Sequence, residues 1–299
     1  MSVSPSLGDR RQIALPQGAM SYRERGDGEP LLLLSGLFVN GDTFRNVVPL
    51  LAEKFRCITP DLPLGAHEIP MSGSARLTVP LIADMVVALL DGLGIGRATF
   101  VGNDAGGVVC QLVLARHPER VERVVLACCD AFEDYPPRRF KVIKWLPYVP
   151  GSVWLIGRMT RIRAIRRTRI GHGAIMRDDP EPAVLASYLS PGRDRSIRRD
   201  ISALLRSIDT RDTLDAARTF PSFPRPVLVA WAGQDRLFAP STPTRLVQAF
   251  PNARLVTIAG SLTFIPEDEP DVLAREIIGF IESNPASTAD LALANGARR

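Results

Sequence analysis

Histidine is scarce in this chain of 299 residues: only His67, His117 and His172 are present. A mechanism that needs an imidazole base has just three places to find one. No apolar run approaches the roughly 18 residues that a membrane-crossing helix requires, so no span is expected. Residues 1–18 lack the apolar stretch of a secretory signal, which excludes one on pattern and points to a cytoplasmic location. The four cysteines, Cys57, Cys110, Cys128 and Cys129, each sit inside an apolar run, and none has metal-ligand spacing. They read as small core residues kept reduced, and neither a metal nor another cofactor is expected. Internal repeats and low-complexity tracts are also missing.

Acidic residues are few in one region. Residues 138–206 hold 16 Lys/Arg against 5 Asp/Glu, a local balance of +11 in a chain whose total is +5, so the remainder sums to −6. Six arginines fall between Arg158 and Arg169. A uniformly basic protein would suggest nucleic acid; one basic segment on an acidic body argues for something more local. It could neutralise an acidic substrate, touch an anionic membrane surface, grip an acidic partner protein, or simply be a solvated helix face.

Hydrophobic residues make up 45% of the chain and charged ones 23%, enough to bury a sizeable core. Short apolar, β-branched runs alternate with helical patterns, which predicts an α/β fold with a mostly parallel sheet covered by helices. Strands are expected at 31–34, 56–59, 98–101, 121–127, 226–231 and 254–258. A helix is expected over 43–53. Thr78 can cap another, whose apolar positions Ile82, Met85, Val86, Leu89, Leu90 and Leu93 fall on one face. A helix ending near Arg116 and a last one from about Asp268 complete the pattern. The rhythm breaks at 133–213, a stretch rich in Pro, Arg and Trp with helical patches and no convincing strand. There Leu155, Met159, Ile162 and Ile165 form an apolar stripe. The segment reads as an insertion packed over the sheet's carboxyl edge, where open α/β sheets bind ligands. The expected organisation is a core of 1–132 and 214–283, an Arg-rich helical cap of 133–213, and a flexible tail of 284–299.

The strongest chemical signal is Gly102-Asn103-Asp104-Ala105-Gly106, directly after a strand and before a helix. A strand turning sharply into a helix lifts one side chain at the sheet edge, and small neighbours tolerate the crowding. The helix N-terminus beneath favours negative charge on that side chain. The bland alternative is an Asp that merely caps the helix.

With Leu34-Ser35-Gly36-Leu37, Pro60-Asp61-Leu62-Pro63, Trp231-Ala232-Gly233-Gln234-Asp235 and Phe264-Ile265-Pro266-Glu267-Asp268, this elbow resembles the α/β-hydrolase family. Within that family it is similar to the aspartate-nucleophile branch of haloalkane dehalogenases and epoxide hydrolases. The resemblance covers roughly 30–135 and 220–283. It implies an eight-stranded sheet with an inserted helical cap. It also implies that Asp104 attacks an sp³ carbon to form an alkyl ester, and that an acid after the seventh strand orients a histidine that activates water. Asp235 matches that acid, and Asp130 stands where some members carry it instead. The histidine position is Thr263, which has no pKa suited to general-base work near neutrality. The usual His-Gly before the oxyanion residue is Ser35-Gly36, and the halide-binding Trp after the nucleophile is Ala105.

The oxyanion hole needs only the backbone N–H groups of Leu37 and Ala105. Asn40 is a polar contact candidate, although a turn role suits it better. His67, in a loop opening on the same edge, is the substitute-base candidate. The cap offers Trp145, Tyr148 and Tyr188; epoxide hydrolases use two cap tyrosines to protonate the opening oxygen. The expected partner is a small organic substrate, which the arginines would suit if it is acidic; a homodimer stays open. Hydrolysis through an alkyl-enzyme ester is the leading expectation. Two alternatives stand beside it: a non-hydrolytic acid/base catalyst such as a cyclase, dehydratase or isomerase, and a non-catalytic descendant that binds a ligand or a protein.

Overall fold

Eight strands form one sheet: β1 (Asp9–Leu15), β2 (Gly18–Arg25), β3 (Glu29–Leu34), β4 (Phe55–Pro60), β5 (Ala98–Asn103), β6 (Val121–Ala127), β7 (Val227–Ala232) and β8 (Ala253–Ile258). The computed structural model describes residues 3–73, 76–168, 171–189 and 191–286. The strand order is β1-β2-β4-β3-β5-β6-β7-β8. β1 and β2 pair antiparallel, as do β2 and β4; every later pairing is parallel. β5 and β7 are buried at every residue, and β3 at all but its first. That is why they read as continuous apolar runs rather than alternating ones: helices cover both faces of a parallel sheet.

β3 lies between β4 and β5, so the chain leaves β3 toward one side and returns on the other. Such a switch opens a crevice at the carboxyl ends of the two central strands. The loops after β3 and β5 meet there. Helices Val79–Gly92, Ala105–Arg116 and Pro270–Glu282 pack on the sheet. Thr78 caps the first as expected, its Oγ1 accepting the Leu81 N–H at 3.2 Å. In the last, Leu273, Ile277, Phe280 and Ile281 are all buried.

Between β6 and β7 the described residues form helices and turns and no strand, while Val124 pairs directly with Val227. The helices here include Ser152–Met159, Pro182–Leu189 and Arg195–Ser207. Their contacts correct one expectation. Leu155, Met159 and Ile162 do not pack on the core; they are exposed. The helix over 43–53 is also corrected: a 3₁₀ turn, Gly41–Phe44, and one α-turn, Val48–Leu51, occupy it. Pro49 lacks the N–H that a continuous helix would use there. The β1–β2 hairpin was not legible in the apolar pattern, because β1 is an exposed edge strand carrying Asp9, Arg10, Arg11 and Gln12. Within the expected tail, 287–299 lie outside the described residues. No helix among the described residues is long and apolar enough to cross a membrane.

Candidate active site

Asp104 sits between β5 and helix Ala105–Arg116 with φ 53° and ψ −126°, a strained conformation for a residue with a side chain. Its own N–H donates to Cys128 O and its carbonyl accepts from Gly107 N–H, so neighbouring elements hold the strain in place. The side chain does not cap the helix. The small residues around it are sterically required. A Cβ on Gly106 would lie 2.0 Å from Leu34 O, and one on Gly102 would lie 2.5 Å from Gly106 O. A Cβ on Gly36 would lie 2.6 Å from Asp104 Oδ2 itself.

The carboxylate is nearly buried, at 8% exposure. Leu37 N–H donates to Oδ2 at 2.9 Å. Burial pushes the Asp104 pKa up to about 6; the Leu37 and Ala105 N–H groups oppose that rise, and the nearby Asp235 charge adds to it. The two backbone donors named from the sequence therefore converge on one carboxylate.

Asp235 follows β7. It accepts N–H groups from Leu237 at 3.2 Å and Phe238 at 3.0 Å, which fix its carboxylate. Thr263, fully buried, donates its hydroxyl to Asp235 Oδ1 at 2.6 Å. The threonine thus occupies a hydrogen-bonding relationship to this acid that a histidine could fill. Asp130, after β6, is buried, its Oδ1 has no hydrogen-bond partner, and burial beside Asp104 raises its pKa well above the carboxylate range. Burial and the Asp104 charge thus both favour the protonated form of this carboxyl.

The other candidates fall elsewhere. Asn40 makes a turn, accepting from Asp42 N–H, and donates to Ser187 Oγ at 3.1 Å. Tyr188 is buried and donates to Glu267 at 2.9 Å, while Arg45 grips the same carboxylate with 2.8 Å contacts to both oxygens. These contacts tie helix Pro182–Leu189 to the core. His67 is buried and its Nε2 pairs with Asp200 at 3.3 Å. Trp145 and Tyr148 are each 61% exposed. His117 pairs with Asp84 at the end of a helix.

One positioning residue escaped sequence reasoning. Asn103 Nδ2 donates to Ala127 O at 2.7 Å and to Thr263 O at 2.8 Å. It ties the ends of β5 and β6 to the loop that carries Thr263. A buried Asn immediately before the elbow aspartate was the available signal.

Comparison with known proteins agrees with this fold. The profile of the family described as alpha/beta hydrolase fold matches residues 29–153. Haloalkane dehalogenase 2 of Mycobacterium tuberculosis is 29% identical over 268 residues, 88% of this chain and 91% of that protein. The cis-3-alkyl-4-alkyloxetan-2-one decarboxylase of Xanthomonas campestris is 29% identical over 299 residues, 94% and 98% of the two chains. Among solved structures, the epoxide hydrolase CorEH superposes with a TM-score of 0.75 at 22% identity, covering 92% of this chain and 99% of that one, a likeness of fold.

Proposed function

The chain is an enzyme of the α/β-hydrolase superfamily, similar to its haloalkane dehalogenase and epoxide hydrolase branch, and on that premise we propose that Asp104 is the nucleophile for a small organic substrate with an electrophilic sp³ carbon. The observation that carries the reading is the anchoring of one carboxylate oxygen. Oδ2 receives the Leu37 N–H, and the Ala105 N–H also favours the ionised carboxylate. Oδ1 is left as the attacking atom. Attack forms an ester whose carbonyl oxygen, the former Oδ2, already lies at its donors, so nothing must reorganise as charge redistributes. The leaving halide or alkoxide departs with the electron pair of the broken bond. Asp130, whose burial favours its protonated form, is the candidate to give a proton to an alkoxide.

The second half-reaction is where this chain differs. Ester cleavage needs activated water, and the residue held by Asp235 is Thr263. A threonine hydroxyl cannot take the proton near neutrality. The covalent ester is therefore expected to persist. Incubation with a reactive epoxide or alkyl halide should add the alkyl mass to the peptide containing Asp104, and Asp104→Asn should abolish it. Rapid multiple turnover without an adduct would mean that another base, His67 first, cleaves the ester, whereas turnover retained in Asp104→Asn would defeat the nucleophile reading.

Asp130 also favours a second reading. Two neighbouring carboxyls, Asp130 held toward its protonated form by burial and Asp104 with its pKa at about 6, could serve as an acid/base pair in a dehydration, isomerisation or cyclisation in which no ester forms. Loss of activity in Asp130→Asn with no adduct in the parent would support this alternative. The basic segment would in either case favour an acidic substrate, and substrate saturation that weakens with salt would reveal it.

A further inference from the structure

Arginines 158, 161, 163, 166 and 167 do not form one surface. Arg166 is buried and paired with Asp179 through two contacts, 3.1 and 2.8 Å, while Arg161 donates to Leu189 O and Arg167 to Met176 O. Arg158 and Arg163 face solvent, as do Arg138, Arg139 and Lys141 on the preceding 3₁₀ segment, Arg138–Tyr148. From residue 138 to 177 there are eleven Lys/Arg and no Asp/Glu.

The same two elements expose large apolar side chains. Trp145, Tyr148, Trp154, Leu155, Met159 and Ile162 are 40–61% exposed. Trp145 and Tyr148 lie ring to ring at 5.9 Å. Arg158 sits over Trp154 at 5.4 Å and Arg206 over Tyr148 at 5.8 Å. Leu155 and Met159 share one side of helix Ser152–Met159, and Ile162 follows in extended conformation. Buried Arg166, paired with Asp179, and the backbone bonds of Arg161 and Arg167 hold the segment in place. Apolar side chains of this size, left in water, mark a surface that meets something.

We propose that this face docks on the surface of an anionic phospholipid bilayer. Aromatic rings and aliphatic side chains would enter the headgroup boundary, and the surrounding guanidinium and ammonium groups would meet lipid phosphates. The charge pattern selects this occupant. A second copy presenting the same face would bring like charges together. A nucleic acid would satisfy the cations but leave Leu155, Met159 and Ile162 unburied. A bilayer interface accommodates both at once, with Trp and Tyr at the boundary between apolar and wet layers. The inference stands whether or not Asp104 is the nucleophile.

Vesicle flotation of the full chain tests it, using phosphatidylcholine alone and phosphatidylcholine with one quarter phosphatidylglycerol. The protein is expected to float only with the anionic vesicles and to be released by salt. The chain has three tryptophans, of which Trp231 is buried, so a blue shift on binding would report Trp145 and Trp154. Trp145→Ser with Trp154→Ser should remove that shift and most flotation. Arg158→Gln with Arg163→Gln should weaken binding about fivefold per charge. These positions are exposed, and an unchanged melting curve establishes that each variant is folded. Equal flotation with neutral vesicles, no flotation, or binding unaffected by both variants would overturn the proposal. So would concentration-dependent dimerisation that the tryptophan variant abolishes, which would make the face a contact between copies.

Discussion

Asp104 carries a cost that a merely structural residue would not. Its pKa is raised to about 6 from an ordinary 3.8. Folding therefore takes up a proton between about pH 4 and pH 6, and the stability this group contributes is present below that window and lost as pH rises through it. Asp104→Asn should consequently be more stable than the parent at neutral pH, by on the order of 2–3 kcal/mol, and should lose that advantage below about pH 4. Melting temperature against pH checks this. Alkylation of Asp104, which needs the ionised form, should instead rise with pH through about 6. A rate that falls over that interval would show that the protonated form of Asp104 is the working one. Thr263 supplies a complementary prediction. Thr263→His puts an imidazole beside Asp235 and should convert a persistent ester into turnover, with a gain of ~10²–10⁴ in its cleavage. The buried site is tight, so a loss of about 1–3 kcal/mol in stability is expected alongside. An adduct equally persistent in this folded variant would show that the missing histidine is not what stalls the second step.

The strand–turn–helix elbow is built from backbone approach as much as from Asp104. Gly106→Ala would drive a methyl against Leu34 O and should cost about 3 kcal/mol or more, or prevent soluble expression. The second element that matters is helix Pro182–Leu189. Tyr188 is spent on Glu267, and Ser187 donates to Asp42 at 2.9 Å. Tyr188→Phe removes one charge-assisted hydrogen bond and should lower stability by about 1–3 kcal/mol while leaving alkylation of Asp104 near the parental rate. A collapse of that rate with an unchanged melting temperature would return Tyr188 to a substrate-binding role. Elements differed in how openly their sequences announced them. Helix Val79–Gly92 has a cap, an apolar face and glycines just beyond its end, all local signals. β1 has none of these: its pairing with β2 is made by backbone groups, Asp9 to Gln12 are exposed, and Ile13 and Leu15 alone pack against the core.

At the scale of the molecule, the segment between β6 and β7 is set apart in charge and in exposure. Arg163 is 84% exposed, while the flanking strands are buried and paired in parallel. Limited trypsin treatment should therefore cut first within 138–168. The fragments should stay together on gel filtration, because the sheet is continuous from β6 to β7 on either side of the cut. First cleavage within the β3–β5 core would contradict this division.

Sequence alone determined the α/β class, six of the eight strands and the strand–turn–helix at Asp104. Those features are local: apolar runs that bury both faces of a strand, and glycines that no larger residue can replace at a sharp turn. Tertiary structure alone decided which distant groups meet. Leu37 and Asp104 are 67 residues apart and share a hydrogen bond because β3 and β5 are neighbours at the switch in strand order. Asn103 reaches Thr263 across 160 residues although β8, which precedes Thr263, lies three strands from β5 in the sheet. Packing also decided the fate of amphipathic side chains. Composition cannot say whether an apolar stripe faces core or solvent, and here Arg166 turned inward to Asp179 while Leu155 and Trp154 turned outward. Burial is a property of what lies opposite, and that is set only when the whole chain has folded.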